Sequence, residues 1–391
     1  MKIKKLTLSV ASAVALAILA APAMADVKIG FTGPMSGPAA SLGQDQYDGF
    51  MLAVEKYQGK LGGQATTVIK EDDQVKPEVG LQAVRKLLDR DHVDAIVGLG
   101  FTNVLMAVWP QISKSGKVAI ATNSGPEALA GAGCKPNFFS AAWESDGPAE
   151  SMGVYAEQQK YGKVFLMAPN YQAGKEMLAG FKRFYKGTVV NEIYTPLSQT
   201  DYSTEISQLQ ASGADAVFVF YPGGLGINFV KQMNQAGMLD KLPVLSVFTV
   251  DGTTLPALKG LAAGVVAGAM WDASLDIPES KEFVQAFQAK YKRTPSLYAA
   301  TGYDAASILN VAIAKVGDKL SDNAAFAAAV KAAGSEFKSV RGPFQFNNNN
   351  MPIENFYAFK AVKDGNGVAM QQIGTPLAMH KDVYHQECKM K

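Results

Sequence analysis

Thr102 follows the turn Gly98-Leu99-Gly100-Phe101, and Asn123-Ser124-Gly125-Pro126 follows the next apolar run. Both stretches offer hydroxyl, carboxamide and backbone N–H donors, and neither contains Lys or Arg. A pair of this kind can hold an anion beside a helix start, where the first-turn amides lack partners and the dipole is positive. Thr102 alone would also serve as an ordinary helix-start residue; the neighbouring donor loop turns the reading toward a ligand, with Phe101 beside it. Asp251, in Thr249-Val250-Asp251-Gly252-Thr253, suits an Asx turn, or in a cleft the capture of a ligand ammonium. Tyr171 and Tyr221 each follow an apolar run and read either as core or as site residues with apolar faces and polar tips.

Catalytic chemistry finds little footing. The three histidines, His92, His380 and His385, have no zinc-ligand spacing, and Gly98-Leu99-Gly100 lacks the third glycine of a dinucleotide loop. No G-x-S-x-G or P-loop run occurs. The expectation is a binding protein with no catalytic residue, no metal ligand and no cofactor.

Positioning these residues calls for repeated strand-loop-helix units. Val27–Thr32, Thr66–Glu71, Val93–Gly98 and Val118–Thr122 read as strands, with helices after the first three. A second series has strands at Lys163–Ala168, Val189–Tyr194, Ala216–Phe220, Pro243–Phe248 and Gly264–Met270. Alternation of this type predicts an α/β fold of two doubly wound, Rossmann-like lobes whose site loops lie at the carboxyl edges of parallel sheets. Crossovers near Ala141, Asp272 and Asn347 make a three-segment hinge. The expected division is 26–143 plus 274–349 for lobe 1, and 144–273 plus 350–391 for lobe 2.

Lys2, Lys4 and Lys5, the apolar run Leu6–Ala20 and Ala23-Met24-Ala25 form a signal peptide pattern, 1–25, with cleavage expected after Ala25 and export to a periplasm. Loss of those lysines takes the net charge from +2 to −1, which gives no reason to expect nucleic acid. In an oxidising compartment the two cysteines, Cys134 and Cys388, are expected to pair and pin the C-terminal tail to the first lobe; two separate thiols are the alternative.

Gly33-Pro-Met-Ser-Gly-Pro38 followed by Leu42-Gly43, the Asp72-Asp73 pair and Gly342-Pro-Phe-Gln-Phe346, in this order, resemble the type I periplasmic solute-binding proteins of hydrophobic amino-acid ABC importers, the leucine/isoleucine/valine-binding group. The resemblance spans essentially the whole mature chain. It implies a clamp, acting as a monomer, that delivers a small carboxylate to a membrane permease. Thr102 then takes the ligand carboxylate with Asn123, Ser124 and Gly125, Tyr171 and Tyr221 come from the second lobe, and Asp251 takes the α-ammonium. Leu42 stands where amino-acid binders commonly place an aromatic residue, Thr102 replaces the usual serine, and Asp251 is one methylene shorter than the usual Glu. Asn170–Lys175, Gly223–Gln232 and the terminal Cys-Lys-Met resemble instead a branch that takes aromatic carboxylates of benzoate or hydroxycinnamate type. Asp251 narrowly favours a hydrophobic amino acid, with an aromatic acid second. A sensor that docks a chemoreceptor or kinase would use the same clamp.

Overall fold

The computed structural model describes residues 26–365 and 367–390. The expected leader and its cleavage point lie outside the described residues. In the first sheet the strands run in the spatial order Lys60–Leu61, Gln64–Asp72, Val27–Gly33, Ala95–Gly98, Val118–Ala121 and Phe138–Ser140. All neighbours except the first pair are parallel. Ala95–Gly98 and Val118–Ala121 are buried at every position. Helices cover both faces of such a sheet, so its central strands read as unbroken apolar runs rather than alternations.

The second sheet runs Phe344–Phe346, Pro352–Asp364, Val266–Ala269, Val244–Val247, Ala216–Phe220, Lys163–Pro169 and Thr188–Thr195. Its last five strands are parallel, whereas Pro352–Asp364 pairs antiparallel with Val266–Ala269, with Phe344–Phe346 and with Gly367–His380. Gly367–His380 carries no clear alternation in sequence because most of it is exposed or half-buried. The hairpin containing Asn347–Asn350 straddles the expected 349/350 boundary. Phe344–Phe346 pairs with the second sheet, while Phe346 packs 5.2 Å from Phe139 of the first.

Buried ions tie the crossings together. Arg341, on the third crossing, donates from Nε to Asp304 Oδ2 at 2.8 Å and from Nη1 to Glu354 Oε2 at 2.6 Å. Its remaining donors reach the carbonyls of Ala142 and Ala141 on the first crossing, both at 2.6 Å. Burial works against the guanidinium charge, and Glu354 and Asp304 more than offset it. On the other side, Asp146 Oδ2 accepts from Arg183 at 2.6 Å and from the Tyr384 hydroxyl at 2.7 Å, which joins the first crossing to the C-terminal tail. The Cys134–Cys388 disulfide fastens that tail to the first lobe, as expected from the sequence.

Two predictions follow from these buried charges. Replacing Arg341 with Met strands two carboxylates in the interior and should cost about 3–5 kcal/mol, read by urea unfolding; a loss below about 1 kcal/mol would contradict the hinge role. Burial also raises the carboxyls of Asp73 to about 6, Glu176 to about 7 and Asp251 to about 6. Their folded pKa values lie above the unfolded ones of 3.8 and 4.5, so the stability they contribute is full below pH 3.8 and lost as pH rises through 6 to 7. Melting temperature should therefore be higher at pH 5.5 than at pH 8, and Glu176→Gln should flatten that slope. A melting temperature that rises toward pH 8 would reverse the sign of the argument.

Candidate functional site

Two helices from opposite lobes start at one cavity. Thr102–Ser115 begins immediately after the first-sheet strand Ala95–Gly98, and Gln172–Phe184 follows the second-sheet strand Lys163–Pro169. The first intrahelical amide bonds are Leu105 N–H to Phe101 O, 2.8 Å, and Lys175 N–H to Tyr171 O, 3.2 Å. The amides before them belong to the unpaired first turn of each helix. Thr102 and Ala173 both line the cavity between the lobes.

The turn into the first helix depends on its backbone. Gly98 has φ +101°, and a Cβ there would lie 2.0 Å from Thr32 O. Leu99 follows with φ +53°, and its N–H bonds Thr32 O at 2.8 Å. Left-handed backbone at a branched residue persists only where the surroundings over-determine it. Here the second loop supplies the braces, since Ser124 Oγ donates to Leu99 O at 2.7 Å and Asn123 Nδ2 to Gly100 O at 2.6 Å.

The expected site residues therefore divide. Phe101, Thr102, Asn123 and Tyr171 line the cavity. Ser124 and Gly125 do not: the hydroxyl of Ser124 is spent on Leu99, and Gly125 is required because a Cβ would meet Trp143 O at 2.0 Å. They hold the donor loop against the first crossing, whose Ser145 N–H bonds Gly125 O at 2.8 Å. Tyr221 lies in the second-lobe core, 4.9 Å from Tyr202 and 5.3 Å from Phe229, its hydroxyl accepting from Thr195 at 3.2 Å. Leu42 is also buried outside the cavity wall and abuts Gly223 across the lobes, where a Cβ on that glycine would meet its Cδ1 at 3.0 Å.

Asp251 differs most from its expected role. Its Oδ1 accepts from Thr253 N–H at 2.8 Å and from the Thr253 hydroxyl at 2.7 Å, and its Oδ2 from the Tyr298 hydroxyl at 3.2 Å. Tyr298 lines the cavity and Asp251 does not. The Asx turn of the sequence reading and a position behind the wall are both realised, so a ligand in this cavity meets Tyr298 first. Burial raises the Asp251 carboxyl to about 6 against the pull of these donors.

Several wall residues were not anticipated. Trp143 stacks on Phe248 with centroids 4.6 Å apart and planes 25° off parallel, and Tyr171 lies over Phe220 at 6.2 Å and 23°. Ser145, Met177, Pro222 and Tyr298 complete the lining with Gly100. Phe220 and Phe248 could have been found, because the first ends and the second directly follows a second-lobe strand, one and three residues before a position already singled out. Trp143 and Tyr298 could not, since they reach the site from a crossing and from the Leu297–Val316 helix. The wall contains no charged side chain.

Comparison with known proteins matches this arrangement. The model of a family described as periplasmic binding protein matches residues 26–366. A Leu/Ile/Val-binding protein homolog 6 from Brucella melitensis is 27% identical over 93% of this chain and 94% of its own. An ABC transporter solute-binding protein from R. palustris, solved with benzoate, is 27% identical with a TM-score of 0.87, covering 94% of this chain and all of its own. Another, from Rhodopseudomonas palustris BisB5 with 3,4-dihydroxybenzoic acid, is 26% identical with a TM-score of 0.84, covering 92% and 99%. A branched-chain amino acid binder from Streptococcus pneumoniae, at 20% identity and a TM-score of 0.79, shares the fold. The chain belongs to the periplasmic binding protein family and is a solute-binding protein of ABC transport rather than an enzyme.

Proposed function

We propose that this protein captures an aromatic carboxylate and delivers it to the permease of an ABC importer. The observation that carries the reading is a wall of six aromatic side chains, Phe101, Trp143, Tyr171, Phe220, Phe248 and Tyr298, with no carboxylate among them. An ammonium moved from water into such a cavity would lack the opposite charge it requires, whereas an aromatic ring fits the paired planes of the wall. The acid group is taken by Thr102 and the amides at the two helix starts, with Asn123 and Ser145 beside them. Relatives of 26–27% identity solved with benzoate and 3,4-dihydroxybenzoate support the same class.

The aromatic lining supports the aromatic acid over the amino acid narrowly favoured from the sequence. That second reading keeps one observation in its favour: the Tyr298 oxygen, backed by Asp251, offers an ammonium an acceptor. In either case the protein works as an exported monomer, freed of its leader after Ala25. Lobe 1, 26–143 with 274–349 apart from the strand Phe344–Phe346 that pairs into the second sheet, closes on lobe 2, 144–273 with 350–391. Ligand contacts on both lobes favour the closed form over the open one.

Thermal-shift titration with leucine, phenylalanine, benzoate, 4-hydroxybenzoate and coumarate tests the class, because a ligand that binds only the folded state raises its melting temperature. The aromatic acids should shift it and the amino acids should not; the opposite pattern would reject the proposal. Thr102→Val should weaken whichever acid binds by roughly 1.5–3 kcal/mol, the worth of a hydrogen bond to a charged group, read by calorimetry. Unchanged affinity would remove Thr102 from the site.

A further inference from the structure

The Tyr298–Asp251 hydrogen bond has two properties that bear on ligand choice. It crosses between lobes: Tyr298 opens the Leu297–Val316 helix, which packs on the first-lobe helix Ala40–Lys56, while Asp251 follows the second-sheet strand Val244–Val247. Thr301 of the same helix donates to Thr122 O in the first lobe at 2.7 Å, which fixes the tyrosine's helix there. The second property is polarity. A phenol has one hydrogen, and Tyr298 gives it to Asp251 Oδ2. Asp251 cannot turn away, because Thr253 holds its other oxygen with two donors.

We infer that Tyr298, held by Asp251, is a specificity-determining residue that admits a ligand carrying an O–H or N–H donor remote from its acid group. Resting on the aromatic reading above, this makes the preferred ligand a hydroxy-substituted aromatic acid rather than an unsubstituted one. With its proton committed, the oxygen of Tyr298, a residue that lines the cavity, has only lone pairs left to offer a ligand. A phenolic hydroxyl pairs with those lone pairs. A fluorine or an ether oxygen of similar position sets lone pair against lone pair in a site with little water to mediate. Asp251 acts as a positioning residue: it fixes which way the tyrosine's proton points and does so only when the lobes meet. Ligand polarity and closure are thereby read by the same bond.

The test compares dissociation constants of 4-hydroxybenzoate and 4-fluorobenzoate, near-isosteres that differ in having a proton to donate. In the wild-type protein the hydroxy acid should bind at least about tenfold more tightly, in keeping with a hydrogen bond to an ionically supported acceptor. Tyr298→Phe should reduce that ratio to about twofold or less. Asp251→Asn, whose carboxamide can donate to the tyrosine and free its proton, should reduce it as well. A wild-type ratio near one, or a ratio that survives both substitutions, would overturn the inference while leaving the aromatic reading intact. If benzoates fail to bind and leucine binds, the aromatic reading falls and this inference falls with it. Binding of neither series would defeat both.

Discussion

A helix that starts straight after a strand leaves its first amides without partners, and here two such helices leave them at the same point from opposite lobes. This convergence is the constraint around which the site is built. A buried carboxylate needs donors, and an Arg or Lys in the cavity would itself have to be desolvated. First-turn amides carry partial positive charge, are fixed by the backbone and lose no side-chain freedom on binding. The chain supports them with a left-handed Gly98-Leu99 turn and with Asn123 and Ser124, whose side chains point into the first loop's carbonyls. Residues that look like ligand donors in sequence can therefore act indirectly, by holding the residues that line the cavity.

The hinge solves a related problem with the opposite means. Three chain crossings join the two sheets, and the groups that hold them are full charges. Arg341 binds Asp304, Glu354 and two carbonyls of the first crossing, so its bonds are distributed over the helix of one lobe and the strand of the other. Burying these ions costs desolvation, and their contribution is to fix which backbone groups meet. The disulfide adds a covalent tie between the tail that follows the second sheet and the loop before Phe138 of the first. The binding cavity is thus free of charge, whereas the hinge behind it is charged and closed to solvent.

The architecture was legible because local patterns specify it. Apolar runs that end in Gly-rich loops and lead into amphipathic helices admit few arrangements other than parallel sheets with ligand loops at their carboxyl edges. Thr102, Asn123 and Tyr171 line the cavity for that reason, each standing shortly past a strand. Tyr221 occupied the same kind of position and proved to be core, because the side chain after a strand points to the cleft or to the covering helices according to local twist. Phe248, with φ +56°, points into the cavity from a backbone conformation no propensity would assign to it. Trp143 and Tyr298 were illegible for another reason: their place depends on how the lobes close, a property of the tertiary fold alone.

Asp251 shows why residue type and position do not by themselves give a role. In sequence an acid in that loop suits an ammonium, and the structure places a tyrosine from the other lobe between it and the ligand space. The negative charge then acts through the tyrosine's proton instead of through direct contact. A direct ion pair would hold a cation strongly and would leave a costly uncompensated charge whenever the cation was absent. A relayed one leaves the carboxylate satisfied by Thr253 and Tyr298 and puts a neutral side chain in the wall. Such an arrangement suits a transport receptor, which must gain enough from its ligand to close and little enough to let it go, since only the difference in ligand affinity between the closed and open forms drives the change.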